Sequence, residues 1–203
     1  MLYVVDYGSG NLRSVQKAFE YVGAQAEVGC DVRRIRDAGG LVLPGVGAFG
    51  AAMAELEGRG LAEVLRERIE AGVPFLGICL GLQLLFESSD ESPGVEGLGV
   101  IRGQVRRLPP GPKIPHIGWN QVEIVKESDL LEGVPDMSAF YFVHSYVVVP
   151  TRPADVLTIT EYGSTFVSGV ERENVTAFQF HPEKSSALGL RVYENFARRV
   201  RRD

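Results

Sequence analysis

One of the two cysteines in this 203-residue chain stands in a setting suited to a nucleophile. The stretch PFLGICLGLQLLF, residues 74–86, ends an apolar run at Cys79 and forms the pattern Gly-x-nucleophile-x-Gly. This pattern predicts a sharp strand-to-helix turn that lifts the side chain clear of the sheet. A helix beginning at Leu80 would favour the thiolate, and the Leu80 N–H would face a developing oxyanion. The pentapeptide alone fits a small core residue equally well, and Cys30 has no comparable setting.

A cysteine nucleophile needs a proton acceptor, usually an imidazole that a third group holds in place. The segment FQFHPE provides both, since the residue before a proline favours extended geometry and His181 and Glu183 then project to the same side. Glu183 would bind one ring nitrogen while the other faces the sulfur. His116 and His144 have no acid two residues on. We therefore expect an accessible Cys79 sulfur within reach of His181.

The elements that would position these residues follow from hydrophobic periodicity. In the first half, apolar runs at 2–5, 41–43 and 73–78 alternate with amphipathic segments, which predicts a parallel sheet covered by helices on both faces. A helix is predicted at 80–86. In the second half, closely spaced runs predict hairpins and therefore a partly antiparallel sheet. These runs lie at 121–125, 139–149, 156–160, 166–170 and 175–180. A last helix places Leu188, Val192, Phe196 and Val200 on one face.

The predicted architecture is a three-layer α/β/α sandwich with a mixed, largely parallel sheet, in one domain over residues 1–203. Functional sites of open α/β sheets lie beyond the carboxyl ends of the strands. Cys79, the segment after Phe180 and the turn PGVG at 44–47 all fall at such ends. Glycine lets backbone approach a substrate closely, so Gly47 is the candidate for a second oxyanion donor.

Composition narrows the class of protein. A net charge of −5 argues against a nucleic-acid or anionic-membrane surface. Two cysteines cannot form a disulfide framework, and three dispersed histidines form no zinc-type pattern. No apolar stretch is long enough to span a bilayer, and no signal peptide is evident. We expect a cytoplasmic protein without a metal or a cofactor.

Gly-x-Cys-x-Gly followed much later by His-Pro-Glu resembles the signature of class I, triad-type glutamine amidotransferases. Four further segments are similar to one branch of this family, the glutaminase subunits of imidazole glycerol phosphate synthase in histidine biosynthesis. The resemblance covers essentially the whole chain. The four segments are DYGSGNL at 6–12, PGVGAFG at 44–50, PHIGWN at 115–120 and YFVHSY at 141–146.

The resemblance implies a reaction that the residues permit. The Cys79 thiolate would attack the side-chain amide of glutamine, and the backbone N–H groups of Gly47 and Leu80 would stabilise the oxyanion. His181 would protonate the departing ammonia and then activate water to hydrolyse the thioester. Glu183 would fix the imidazole tautomer.

The resemblance also implies which residues hold the substrate. Gln83 matches the position that binds the substrate glutamine, and His144, Ser145 and Tyr146 match a strand whose backbone grips it. Glu91 could face the substrate ammonium group, although an acidic run such as 87–91 is more typical of a solvated loop.

The implied partner is the cyclase subunit, a (β/α)8 barrel that forms a heterodimer with the glutaminase and takes up the ammonia. Asn11, Trp119 and Lys184 match positions at that interface. Their ordinary alternatives are a helix N-cap, a buried aromatic and a surface lysine. Family members have low activity until partner and nucleotide bind, so we expect the loop at 44–47 to be poorly arranged in the isolated chain.

Three other functions stay open at this point. A related glutaminase could feed another acceptor, such as the one in pyridoxal phosphate synthesis. The turn at 8–11, GSGN, could bind a phosphate or a nucleotide, but Arg13 stands where a dinucleotide fingerprint needs its third glycine. A cysteine hydrolase for non-amide substrates would need neither the Gln83 contact nor a barrel partner.

Overall fold

The chain forms a twelve-stranded sheet with helices on both faces, in a computed structural model that describes residues 1–109 and 113–202. The strands are β1 Leu2–Val5, β2 Ala26–Gly29, β3 Gly40–Gly45, β4 Phe75–Cys79, β5 Ser88–Ser89, β6 Gly103–Arg107, β7 His116–Ile124, β8 Ser138–His144, β9 Tyr146–Pro150, β10 Val156–Glu161, β11 Thr165–Arg172 and β12 Val175–Phe178. The helices are α1 Leu12–Tyr21, α2 Val32–Arg36, α3 Phe49–Gly58, α4 Leu61–Glu70, α5 Leu80–Gln83 and α6 Ser186–Arg202.

The strands lie in the order β2-β1-β3-β4-β12-β11-β10-β7-β8. The first five are parallel to one another, and the strands from β11 to β8 are joined by antiparallel pairing. Strand β9 leaves this path and pairs with β11 and β6. The predicted mixed, largely parallel sheet is therefore confirmed.

Alternate residues of the strands face two separate cores. Tyr3 and Val5 of β1 belong to a cluster with apolar residues of α2, α3 and α4, whereas Leu2 and Val4 face a cluster with α1 and α6. Successive side chains of a strand point to opposite faces, so an all-apolar strand must be covered on both sides. The predicted three layers are thus present. Within the described part of the chain, no helix is long and apolar enough to cross a membrane.

The parallel strands bring the predicted site residues to one edge of the sheet. Gly45 of β3 lies opposite Cys79 of β4, and Phe178 of β12 lies opposite Ile78. The carboxyl ends of β3, β4 and β12 are therefore neighbours, although Gly45 and Phe178 are 133 positions apart in sequence. This register places the loop at 44–47, Cys79 and the segment after Phe178 side by side.

The predicted single strand at 139–149 is wrong. The chain forms β8 up to His144 and β9 from Tyr146, with Ser145 between them. Strand β8 pairs with β7, whereas β9 pairs with β6 and β11, so the chain changes partners at Ser145. The sequence there has no glycine or proline to mark the change, because the partner strands decide it.

Other boundaries also differ from the prediction. The helix expected at 80–86 ends at Gln83, and the next residues form turns. The strand expected at 121–125 begins at His116. The elements β2, α2, α3, β5 and β6 were not predicted. All but α3 are short, and in α3 the exposed alanines Ala51 and Ala54 obscure the buried stripe. The last helix packs Val192 and Phe196 inward, as its period predicts.

Candidate active site

Cys79 occupies the predicted turn between β4 and α5. Its backbone has φ 55° and ψ −108°, a conformation that costs a non-glycine residue free energy and is often found at functional sites. The flanking glycines are required by space: a Cβ on Gly81 would overlap the carbonyl oxygen of Leu43, and one on Gly77 would lie 2.9 Å from the Ala177 Cβ. The tight packing of strand, turn and helix thus explains the glycine pattern.

His181 and Glu183 form a buried pair. Nδ1 of His181 lies 2.7 Å from Oε1 of Glu183, and both side chains are only 2% exposed. The hydroxyl of Tyr193, on α6, donates to the second carboxylate oxygen at 3.3 Å. A carboxylate accepts only, so Nδ1 carries the proton and Nε2 is left for chemistry. Sequence reasoning predicted the pair but missed Tyr193.

The charges around His181 favour its protonated form. Burial by itself opposes a charge on the ring, but interactions with Cys79 and Glu183 outweigh it and raise the pKa of His181 to about 10. Cys79 makes the largest contribution to this rise, although Nε2 has no hydrogen-bond partner within bonding distance among the described residues. A protonated imidazole beside a cysteine is the arrangement that cysteine nucleophiles use.

The sulfur is less open than expected. Cys79 is 6% exposed, but it lines a cavity of about 270 Å³ at the carboxyl ends of the strands. All six residues predicted to bind the oxyanion or the substrate line the same cavity: Gly47, Leu80, Gln83, His144, Ser145 and Tyr146. A cavity of this size suits a small-molecule substrate, with Cys79 on its wall.

The Tyr146 carbonyl receives two side-chain hydrogen bonds. Nε2 of Gln83 donates to it at 3.2 Å, and Nδ1 of His144 lies 3.0 Å from it. Since a carbonyl only accepts, the His144 proton must be on Nδ1. Gln83 and His144 therefore hold the start of β9 in place beside the cavity.

His144 is joined to a second buried histidine. Its Nε2 lies 3.0 Å from Nδ1 of His116, whose Nε2 is 3.3 Å from the amide nitrogen of Asn120. With Nδ1 of His144 protonated, His116 must donate through Nδ1 and accept from Asn120. Burial keeps both rings neutral and lowers the pKa of His116 to about 4 and that of His144 to about 3. The ring nitrogens of His144 are thus fully used within the protein.

Glu91 is not in a solvated loop. Its carboxylate accepts a hydrogen bond of 2.7 Å from the Phe49 N–H at the start of α3, and the residue lines the cavity. Nearby, Gly47 has φ 99°, which favours glycine, and the Ser9 hydroxyl donates to the carbonyl of Val46. Neither contact tests the expectation that the loop at 44–47 is poorly arranged without a partner.

The predicted interface residues lie outside the cavity. Trp119 is 54% exposed and its ring meets the ring of Tyr141 edge-on, with centroids 6.3 Å apart. The Lys184 ammonium lies 5.6 Å from the Tyr141 ring centroid on the same face. Asn11 precedes α1, but its side chain makes no capping hydrogen bond to it. Trp119 is therefore a surface residue, which removes its buried alternative.

Comparison with known proteins identifies the family. The family profile described as "Glutamine amidotransferase class-I" matches residues 3–200. The chain belongs to the class-I glutamine amidotransferase family. Within it, imidazole glycerol phosphate synthase subunit HisH of Aquifex aeolicus is 58% identical over 97% of this chain and 96% of that protein. The subunit of the same name from Methanothermobacter thermautotrophicus is 54% identical over 99% of this chain and all of that protein.

A solved structure of another protein has the same fold. The structure titled "Structure of PurLQS from Thermotoga maritima" matches with a TM-score of 0.76 at 19% identity, over 98% of this chain and 97% of that chain. Among the described residues, no group of three or more His, Cys, Asp and Glu side chains is placed to hold a metal ion.

Two residues at the site carry no signal in the sequence. Gln179 is completely buried next to Cys79, with Nε2 3.7 Å from Sγ. Tyr193 lies in the apolar stripe of α6, where a core aromatic is the expected reading. Gln179 lies two residues before His181, and Tyr193 lies ten residues after Glu183. These positions do not by themselves indicate contact with the nucleophile or its base.

Proposed function

We propose that the chain is the glutaminase subunit of an imidazole glycerol phosphate synthase in histidine biosynthesis. It forms a single glutamine amidotransferase domain over residues 1–203 and works in the cytoplasm. It hydrolyses glutamine to glutamate and ammonia through a cysteine thioester. The observation that carries the proposal is Cys79 on the cavity wall with the buried His181–Glu183 pair beside it, together with relatives of that name more than half identical over nearly the whole chain.

The chemistry follows from these positions. The Cys79 thiolate attacks the side-chain carbonyl of glutamine, and the backbone N–H groups of Gly47 and Leu80 take the negative charge of the tetrahedral intermediate. The His181 imidazolium gives its Nε2 proton to the leaving ammonia, which leaves a thioester on Cys79. Neutral His181 then removes a proton from water, whose oxygen attacks the thioester and releases glutamate. Glu183 keeps the proton on Nδ1 throughout.

The substrate lies along the strand break at Ser145. Tyr146 and His144 line the cavity together with Cys79 and with Gln83, the last residue of α5. Glu91 supplies a negative charge at the cavity wall, which suits the α-ammonium group of glutamine. The carboxylate of Glu91 also binds the Phe49 N–H, so it is held in place before substrate arrives.

The partner in this proposal is a cyclase subunit, a (β/α)8 barrel, in a heterodimer. Ammonia in neutral water is mostly ammonium and is not nucleophilic, so it must pass directly to the acceptor. The exposed face of Trp119 and Lys184, with Asn11, forms the contact surface. An exposed tryptophan is a frequent centre of binding energy in interfaces.

The test is a glutaminase assay of the chain alone and with the cyclase subunit and its nucleotide. We expect hydrolysis to rise by orders of magnitude with the partner. Cys79→Ala should lower the rate by at least about 10⁴-fold, as loss of a nucleophile usually does. Cys30→Ala, which changes the exposed cysteine, is the matched control and should retain activity. Lack of response to the cyclase, or activity in Cys79→Ala, would contradict the proposal.

A further inference from the structure

Two buried glutamines form a hydrogen-bonded chain that ends on the sulfur. Nε2 of Gln83 donates to the Tyr146 carbonyl at 3.2 Å and to Oε1 of Gln179 at 3.1 Å. Nε2 of Gln179 then lies 3.7 Å from Sγ of Cys79. Gln179 is completely buried and Gln83 is 5% exposed, so water does not compete freely for these groups.

The orientation of both amides follows from the carbonyl at one end. Because the Tyr146 oxygen can only accept, Gln83 must turn its NH₂ group toward it. The other proton of that group goes to the oxygen of Gln179, so Gln179 must present its own NH₂ group to Cys79. The chain also uses both amide protons of Gln83, which leaves the Gln83 oxygen as the atom that can accept from a substrate.

A donor facing the sulfur favours the charged form of the nucleophile. Hydrogen bonds to an ion are stronger than those between neutral groups, and more so in a buried site. The helix that follows Cys79 has only four residues, so little help comes from a helix dipole. A fixed amide donor can supply the stabilisation of the charged sulfur that the short helix does not provide.

Other groups also face the sulfur, and they act in both directions. The His181 ring favours the thiolate, and Glu183 acts behind it through His181. The Tyr7 hydroxyl has no partner among the described residues. Burial raises the pKa of Tyr7, and the charge of Cys79 raises it further. The Val143 carbonyl, 3.9 Å from Sγ, accepts from the thiol and so favours the neutral form.

We propose that Gln179, oriented by Gln83, is a catalytic hydrogen-bond donor that stabilises the Cys79 thiolate. The proposal rests on the function proposed above, because it assigns Gln179 to the same reaction. Gln179 donates to Sγ, whereas the Val143 carbonyl accepts from it, so Gln179 promotes loss of the thiol proton. The link through Gln83 to Tyr146 ties this donor to the strand that lines the substrate cavity.

The test measures proton affinity at Cys79 without using turnover. In a Cys30→Ala background, the rate of alkylation by iodoacetamide is followed against pH, and the midpoint reports the thiolate population. Gln179→Met keeps the length of the side chain but removes the donor. We expect the midpoint to rise by about one pH unit, and glutaminase kcat/KM at neutral pH to fall about tenfold and recover at higher pH.

A matched control separates this effect from loss of packing. Thr176→Val removes a buried hydroxyl from β12, three residues before Gln179, without contact to the cavity, and it should leave the alkylation midpoint in place. Gln83→Met releases the Gln179 amide and should raise the midpoint by a smaller amount. An unchanged midpoint in folded Gln179→Met overturns the proposal. Should that variant not fold, an unchanged midpoint in Gln83→Met overturns it instead.

The two proposals fail in different ways. If Cys79→Ala retained glutaminase activity, the function would be wrong whatever the alkylation midpoints showed. If Cys79→Ala were inactive and the midpoint did not respond to Gln179, only the role of Gln179 would be wrong.

Discussion

Nδ1 of His181 and Oε1 of Glu183 lie 2.7 Å apart, and the two side chains are almost inaccessible to water. The short proline-containing turn between them sets this distance, since Pro182–Lys184 forms one 3-10 turn directly after His181. The bond fixes the tautomer and leaves Nε2 toward the sulfur. The pair is therefore arranged before any substrate or partner binds.

Substitutions at His181 and Glu183 should distinguish the role of the base from the role of the carboxylate that orients it. His181→Ala should remove most glutaminase activity, because the ring nitrogens of the other two histidines are engaged elsewhere. Glu183→Gln keeps the shape but can stabilise the wrong tautomer, so kcat should fall by about 10²- to 10⁴-fold with little change in KM. Steady-state kinetics with the cyclase present measure both. A Glu183→Gln enzyme as active as the parent would show that the buried bond has no catalytic role.

Tyr193 is expected to act as a positioning residue through Glu183. Tyr193→Phe removes the hydroxyl that donates to the free carboxylate oxygen, so the carboxylate gains rotational freedom. We expect kcat to fall about threefold to tenfold and its pH profile to shift, since one hydrogen bond to a charged group is lost. Tyr21→Phe changes a tyrosine that is 79% exposed and serves as the control. An unshifted pH profile in Tyr193→Phe would show that Tyr193 contributes only to packing.

His116 should make the fold sensitive to acid. Its pKa is about 4 in the folded chain and about 6.5 when unfolded, so the unfolded state binds more protons between these values. The stability that neutral His116 provides is complete above about pH 6.5 and is lost as the pH falls toward 4, by about 3 kcal/mol.

His116→Phe keeps an aromatic ring between Phe142 and Tyr162, which stack on it. The variant leaves Nε2 of His144 without its donor, so it should be less stable than the parent at neutral pH. Its free energy of unfolding should nevertheless fall less steeply on acidification, as urea titrations at several pH values would measure. Equal slopes in variant and parent would contradict the assignment, because both contain the same carboxylates.

Trp119 should contribute to binding the cyclase. Trp119→Ala removes a large exposed ring near Tyr141 and Lys184, and it should weaken the complex by about 2 kcal/mol or more. Titration of glutaminase activation against cyclase concentration measures the change. Tyr21→Ala removes an exposed ring elsewhere and should bind normally. Equal affinities of the two variants for the cyclase would show that Trp119 lies outside the interface.

Much of the site could be predicted from the local sequence. The turn at Cys79 and the His181–Glu183 pair each depend on residues within two positions of one another, because glycine and proline restrict the backbone locally. The alternation of apolar runs with amphipathic segments likewise predicted the layered sheet, because a strand that is buried on both faces consists mainly of apolar residues.

Contacts between residues that are far apart in the sequence could not be predicted from it. Gln179 and Cys79 are 100 residues apart, and they meet because β12 lies beside β4. The break at Ser145 arises from a change of partner strands, which an unbroken run of strand-forming residues does not reveal. Tyr193 reaches Glu183 only because α6 packs back onto the sheet.

The sequence by itself determined the chemistry: a thiol on a strained turn, an imidazole with its carboxylate, and strands that carry them to one edge. Only the tertiary structure decided which buried polar groups stand around that thiol and which strand walls the cavity. The physical reason is that turns and periodicity depend on neighbours along the chain, whereas hydrogen bonds in a buried site depend on which strands become adjacent.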